Sequence, residues 1–314
     1  MLGNWKNILR ATGIQTGARC FFAFSFGPFL GFWTAYEAVV QMQCIAIPGG
    51  GQSTEARLQA ILDNEVEYLF CTPTYAIRLI QAAEDLQLPL QNHQLKKIIV
   101  AGECGGSTPG IRKAIDEAWG EKALLFDHYG MTEVGPVAYE IPGGLGGLRI
   151  LLDSYYAEVI DPDSLEPVND GALGELVLTP LGRTGSPVFR YRTGDLIRAK
   201  RGLDDKGFPT FDLTGGILGR TDDMVVIRGV NLYPSAVDRV VRKFSGVKEY
   251  QVVIEDVRGM KEIQIRAECD QTVAKELQKA MRDTFSLRIP VESTPENTLP
   301  RFEMKAKRWL EQEK

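Results

Sequence analysis

The sequence predicts an α/β protein: a mostly parallel sheet with helices, an attached small β subdomain, and a C-terminal α+β domain joined by a hinge. Three observations carry this expectation. Over residues 1–140, short apolar runs alternate with longer helical patterns, as right-handed βαβ crossovers require. After Glu140, glycine and proline become more frequent and the apolar runs turn short and alternating, an antiparallel texture. Between Gly215 and Pro234, paired glycines, Arg220 and the adjacent acids Asp222 and Asp223 lead into a fresh strand–helix pattern, which reads as a flexible charged joint. The expected division is a partial large domain over 1–221, α/β over 1–140 and β-rich over 141–221, followed by a small mobile domain over 222–314.

Taken in order, the first nineteen residues predict the end of an amphipathic helix with Trp5, Ile8 and Leu9 on one face, then a turn at Gly13 and Gly17. Cys20–Phe26 predicts a strand. Phe29, Leu30, Trp33 and Tyr36 recur at helical spacing, and Cys44–Pro48 predicts a second strand. Helices are expected at Glu55–Asn64, Thr74–Leu86 and Thr108–Trp119, with strands at Tyr68–Cys71 and Lys97–Ala101 between them. The β-rich part predicts strands at Tyr156–Ile160, Glu175–Thr179, Val188–Tyr191 and Leu196–Ala199. Past the joint, a strand at Met224–Ile227, a helix at Ser235–Phe244, strands at Tyr250–Asp256 and Glu262–Glu268, a helix at Val273–Phe285 and a tail are expected.

Composition excludes several classes. The chain has 314 residues, 44% hydrophobic and 25% charged, as in a globular protein, and a net charge of −5. A nucleic-acid or anionic-membrane partner would need clustered excess base. The apolar segment Phe21–Ala46 is interrupted by Gly27, Pro28, Gly31 and Glu37, so it predicts buried structure rather than a membrane span. The five cysteines are odd in number and widely spaced, which fits free thiols in a reducing cytoplasm.

Four stretches carry candidate chemistry. In Asp127-His-Tyr-Gly-Met-Thr-Glu133, Gly130 allows a tight backbone, Thr132 offers a hydroxyl to a phosphate oxygen, and Glu133 offers a carboxylate to Mg²⁺. Tyr129 offers a ring that could pack on a base; the bland alternative is a polar turn at a strand end. In Tyr191-Arg-Thr-Gly-Asp-Leu196, Asp195 can accept both hydroxyls of a ribose, or the segment is a plain hairpin turn. The corner Ala101-Gly-Glu-Cys104 ends a predicted strand, where a ligand is expected, and offers Glu103. In Leu299-Pro-Arg-Phe-Glu-Met-Lys-Ala-Lys-Arg308, a cation on a mobile domain could neutralise charge developing in a transition state; alternatively Lys305, Lys307 and Arg308 are ordinary surface charges. The aromatic stretch Phe24–Tyr36 reads first as core and second as the wall of an aryl-acid pocket.

Together, and in this order, these stretches resemble the acyl-adenylating synthetases, within them the phenylacetate–CoA ligase family. The first is similar to that superfamily's Tyr-Gly-x-Thr-Glu motif and the last to its Pro-Arg-Ser-Glu-Gly-Lys tail, from which Phe302 and Met304 depart. The resemblance implies a two-step ligase. A small carboxylic acid, an aryl acid such as phenylacetate by resemblance, attacks MgATP to give an acyl-adenylate. Coenzyme A then takes the acyl group. Thr132 would contact phosphate, Glu133 hold magnesium, and Asp195 hold ribose. Glu103, Tyr129, Gly130 and Arg220 would flank the nucleotide. Asp222 would be the hinge, Gly229 would lie near the thiol's path, and Lys305 would be the catalytic lysine. The family's Ser/Thr/Gly-rich phosphate loop has no counterpart here. Gly49-Gly-Gly-Gln-Ser-Thr54 is the nearest candidate, so the chain is expected to begin inside the large domain. Two alternatives stand beside this reading: an adenylate-forming enzyme with another acceptor, like the F390 synthetases, and a nucleotide-binding remnant without turnover. A homodimer is compatible with each.

Overall fold

A computed structural model of the chain describes residues 1–27, 30–120, 123–141, 143, 146–257, 260–302 and 305–311. It divides into two compact units: Met1–Leu218 together with Lys305, and Gly219–Phe302 together with the described residues from Ala306 on.

In the first unit, α1 (Leu2–Ala11), β1 (Arg19–Phe22), α2 (Leu30–Gln41), β2 (Ile45–Pro48), α3 (Thr54–Asp63), β3 (Tyr68–Cys71), α4 (Pro73–Asp85), β4 (Lys97–Val100) and α5 (Pro109–Trp119) alternate before β5 (Leu124–Met131). The strands run β2-β1-β3-β4-β5, all parallel. Successive side chains of a strand point to opposite faces, so each strand feeds two cores. Phe21, Leu69, Ile98 and Leu125 pack with α3, α4 and α5 through Leu58, Ile61, Leu79, Ile115 and Trp119. Phe22, Phe70, Ile99 and Phe126 pack with α1 and α2 through Trp5, Ile8, Leu9, Ala35 and Val39. The helices start where the local chemistry dictates. Ser53 and Thr72 accept the N–H groups of Ala56 and Tyr75, and Pro73 and Pro109 open α4 and α5, where a missing N–H costs nothing.

The sheet does not stop at β5. It continues through β6 (Gly135–Glu140), β7 (Leu148–Ile150), β11 (Pro209–Leu213), β10 (Tyr191–Leu203), β9 (Leu173–Pro180) and β8 (Tyr155–Ile160), each neighbour antiparallel to the next. The antiparallel half therefore begins at β6, ahead of the change in texture, because β6 is almost wholly buried and shows no alternation. The strands expected at Val188–Tyr191 and Leu196–Ala199 correct to one strand, β10. Its start is set by Arg190, whose φ of 45° breaks extension, and its interior carries a register shift between Arg192 and Leu196. The strand expected at Cys20–Phe26 is shorter, Arg19–Phe22. Pro28 and Phe29, the latter counted in the expected helix, lie outside the described residues.

The second unit contains β12 (Gly219–Arg220), β13 (Val225–Ile227), β14 (Val230–Leu232), α6 (Pro234–Val241), β15 (Tyr250–Val257), β16 (Met260–Glu268), α7 (Gln271–Phe285), β17 (Val291–Thr294) and β18 (Trp309–Glu311). Its main sheet runs β17-β16-β15-β18, so the expected tail supplies two strands. Val237, Val240 and Val241 of α6 and Leu277 and Met281 of α7 pack with Val252, Ile263 and Ile265 of the sheet. Asp270 caps α7 by accepting from Thr272 and Val273, both at 2.8 Å. All five cysteines are free thiols, and no described helix is long and apolar enough to cross a membrane.

Candidate active site

Parallel sheets gather ligands at the carboxyl ends of their strands. Strand β4 ends at Val100, opposite Asp127, so the rest of β5 runs on past that edge. The backbone there is tightly determined. A Cβ on Gly130 would stand 2.8 Å from the Gly135 carbonyl oxygen and 3.0 Å from the Pro136 Cα, and the β5–β6 register shifts at this point, so only glycine fits. The turn beyond exposes Thr132 and Glu133. Neither side chain bonds to another described residue.

At the buried end of β5, the Asp127 carboxylate accepts from the Ser107 hydroxyl at 2.5 Å, and its N–H donates to Glu140 at 2.8 Å. Glu140 is held in turn by both ends of the Arg112 guanidinium at 3.0 and 2.7 Å. Gly106 permits this packing, since a Cβ there would stand 2.2 Å from an Asp127 oxygen. Burial, opposed by Ser107 and Arg112, pushes the Asp127 carboxyl up to about 6. His128 is neutral at pH 7, because burial pushes it down to about 4; its Nδ1 lies 2.9 Å from the Ala138 carbonyl and its ring 4.4 Å from Trp5.

Asp195 lies in the irregular stretch of β10, and Gly194 supplies the φ of +74° that the bend needs. Thr193 donates its hydroxyl to the Leu176 carbonyl at 2.8 Å and accepts the Asp195 N–H at 3.0 Å. Glu175, almost fully buried, accepts the Gly194 N–H at 3.0 Å and pairs with Arg192 through Nε at 2.9 Å and Nη2 at 2.5 Å. The Tyr129 hydroxyl then donates to the Asp195 carboxylate at 2.6 Å. That bond, across 66 residues of sequence, brings two of the expected motifs to one rim. The Tyr129 ring belongs to the core, with Val137, Leu176 and Ile197.

The remaining candidates fall elsewhere. Glu103 accepts the Thr74 N–H at 2.7 Å, in the first turn of α4, and so supplies negative charge to a helix N-terminus. Arg220 makes a two-pronged pair with Asp222, 2.8 Å on each prong, and holds that carboxyl below its usual range; an ordinary salt bridge is the plainer reading of Arg220 beside a nucleotide contact. Burial and the nearby Asp222 push Asp223 up. Gly229, with φ of +79°, and Arg228, with φ of +49°, form the two-residue turn of the β13–β14 hairpin, a geometry of type I′. The Gly49–Thr54 turn is built for packing. A Cβ on Gly49 would lie 2.6 Å from the Phe21 ring, Arg57 binds the Gly49 carbonyl at 2.8 Å, and Ser53 is the α3 cap.

Lys305 lies in an exposed bend; residues 303 and 304, including Met304 of the motif, lie outside the described residues. Lys307 is exposed too. Arg308 is not the surface charge its neighbours are. It is buried and paired to Glu249 at 2.7 and 3.1 Å. Sequence reasoning passed over Ser107, Arg112, Glu140, Glu175 and Glu249, whose side-chain partners are 17 to 59 residues away and leave no local pattern. Among the described residues no three His, Cys, Asp or Glu side chains gather as a metal site. A lone exposed carboxylate such as Glu133 suits Mg²⁺, which keeps most of its waters and takes further oxygens from substrate phosphate.

The chain is similar to known proteins over most of its length. The family profile described as AMP-binding enzyme matches residues 9–180, and that described as AMP-binding enzyme C-terminal domain matches residues 229–313. The phenylacetate-coenzyme A ligase of Pseudomonas putida is 32% identical over 323 residues, covering 97% of this chain and 72% of that protein. That of Thermus thermophilus is 32% identical over 272 residues, covering 86% and 60%. Among solved structures, a 2-hydroxyisobutyryl-CoA ligase in complex with R3-HIB-AMP matches with a TM-score of 0.91 at 28% identity, over 99% of this chain and 69% of that one. A benzoate CoA ligase from Burkholderia xenovorans shares the fold, with a TM-score of 0.70 at 16% identity, over 96% of this chain and 64% of that one. The chain thus spans between about three fifths and three quarters of the length of these relatives.

Proposed function

Because the chain belongs to the phenylacetate–CoA ligase family of AMP-binding enzymes, we propose that it works as an AMP-forming carboxylic acid–CoA ligase. The observation that carries this reading is the Tyr129–Asp195 bond: it ties Asp195, the expected ribose acceptor, to the strand that leads into the turn offering Thr132 and Glu133. Asp195, fixed by Tyr129 and its own turn, accepts from the ribose hydroxyls. Thr132 donates to the phosphate at which the acid attacks. Glu133 ligates Mg²⁺, which when bound screens phosphate charge. Lys305 supplies a cation to the developing negative charge. Asp222, freed from or bound to Arg220, is the hinge position, and Gly229, lacking a side chain, lies by the thiol's path. The relatives favour an aryl or short branched acid as substrate. The free thiols favour a reducing, cytoplasmic setting.

The test is calorimetry with AMP or a non-hydrolysable acyl-adenylate, followed by an assay for CoA consumption in the presence of acid and ATP. Binding weakened at least tenfold in Asp195→Ala, together with acid-dependent thioester formation, is expected. Adenylate binding unaffected by Asp195→Ala would overturn the site. AMP release that does not require CoA would move the acceptor to another class.

A further inference from the structure

Two arginine–glutamate pairs lie in the second unit, one buried and one with its arginine half-buried. Strands β15 and β16 pair Tyr250 with Ala267, and on the next rung the Glu268 N–H donates to the Glu249 carbonyl at 2.9 Å. A buried carboxylate is costly unless it is paired. Each is neutralised here. Arg301 donates to Glu268 from Nη1 at 2.9 Å and Nη2 at 2.6 Å, and the Leu299 N–H adds a bond at 2.7 Å. Arg308 donates to Glu249 from Nε at 2.7 Å and Nη2 at 3.1 Å, and its guanidinium lies over the Tyr250 ring at 5.1 Å and the Phe302 ring at 5.6 Å. Glu268 is fully buried and Glu249 nearly so.

The two arginines stand on either side of Lys305, four residues before it and three after. At ~3.3–3.6 Å per residue, Lys305 can lie no more than about 14 Å from Arg301 and about 11 Å from Arg308. Fork-shaped bidentate pairs fix direction as well as distance, which apolar packing of a tail does not.

We propose that Glu268–Arg301 and Glu249–Arg308 form a clasp that fixes both ends of the segment carrying Lys305 and so sets where its ammonium can act. The four residues are positioning residues: they touch one another, not the substrate. The inference rests on the reading of Lys305 as the activating cation.

The test uses the full chain with Arg301→Lys, which keeps the charge and loses the fork, and Glu268→Gln, beside Lys305→Ala and Lys307→Ala. Thermal melting identifies the folded variants, and Arg301→Lys serves if Glu268→Gln does not fold. The first readout needs no turnover: the rate of amine acylation at Lys305 relative to Lys307, read by mass spectrometry. The clasp predicts a shift of at least threefold in that ratio in the folded variants; an unchanged ratio overturns it. The second readout separates formation of acyl-adenylate from thioester formation on supplied acyl-adenylate. Clasp variants should lose at least tenfold in the first and less than twofold in the second, as Lys305→Ala does. If Lys305→Ala cripples adenylation and folded clasp variants do not, the clasp is wrong and the reading of Lys305 stands. If Lys305→Ala spares adenylation, both fall.

Discussion

The turn that carries Asp195 and the tail that carries Lys305 are fixed by different means. Asp195 lies between two stretches of β10 that are laddered to β9, and its neighbours Thr193 and Gly194 are tied to that same partner strand. The tail joins its sheet by a short parallel strand, Trp309–Glu311, and on either side of Lys305 by the ion pairs of Arg301 and Arg308. Ladder bonds are many and each is dispensable. A buried ion pair fails as a whole when either partner goes, because the survivor is left as an unpaired charge. A group on a ladder therefore tolerates single substitutions around it, whereas one between two ion pairs does not.

The largest expected effect is on the tail. In a form of the protein competent to make the acyl-adenylate, Lys305→Ala should slow that step by ~10²–10³, the usual loss for one preorganised charge in a transition state. Thioester formation from supplied adenylate should be spared. If Lys307→Ala proves the sensitive substitution, the register through Phe302 and Met304 is off by two.

A buried carboxylate on the sheet side offers the opposite case, since Asp127 bonds to Ser107 rather than to a bidentate arginine. Its folded value of about 6 stands above an ordinary aspartate near ~3.9, so between these values the folded state holds more protons than the unfolded one. Stability from this group is present below about pH 4 and lost as pH rises through about 6, of order 2–3 kcal/mol. Asp127→Asn should flatten that loss in denaturant titrations from pH 4 to 7. A variant that keeps the wild-type slope would show that Asp127 is not the group responsible.

Asp195→Ala should weaken AMP or acyl-adenylate binding by tenfold or more, with the fold intact, since a charge-assisted bond contributes ~1.5–3 kcal/mol. The smallest effect sharpens the comparison most. Glu175→Gln keeps an acceptor for the Gly194 N–H but weakens the pair with half-exposed Arg192, a pair already screened by solvent. If the ladder holds the turn, AMP affinity should fall less than threefold. A loss as large as that of Asp195→Ala would mean that the turn, like the tail, depends on its ion pair.

Much of the fold was legible. The strands Tyr68–Cys71 and Lys97–Val100 are apolar on both faces, and helices opened by proline or a hydroxyl residue announce themselves locally. The strands that were missed, β6, β7, β11, β12, β14, β17 and β18, are two to six residues long, too short for a strand period to stand out. Among the candidate residues, Thr132, Glu133 and Asp195 stood out in the sequence because a glycine lies close before each, Gly130 and Gly194. The Tyr129 hydroxyl's partner was not, because that bond depends on β5 and β10 meeting through a sheet. Nor were the roles of Glu103 and Arg308, whose burial or capping partners lie 29 and 59 residues away.

Strand β5 is shared between two kinds of ladder, parallel to β4 on one edge and antiparallel to β6 on the other. The first unit therefore has no seam between its parallel and antiparallel halves: separating them would strip β5 of one full row of bonds. Melting should be a single cooperative event for both halves. Solvent deuterium should enter first at the outer strands β2 and β8 and last along β5, so the backbone beneath the Tyr129–Glu133 turn keeps its shape while the rims of the sheet breathe.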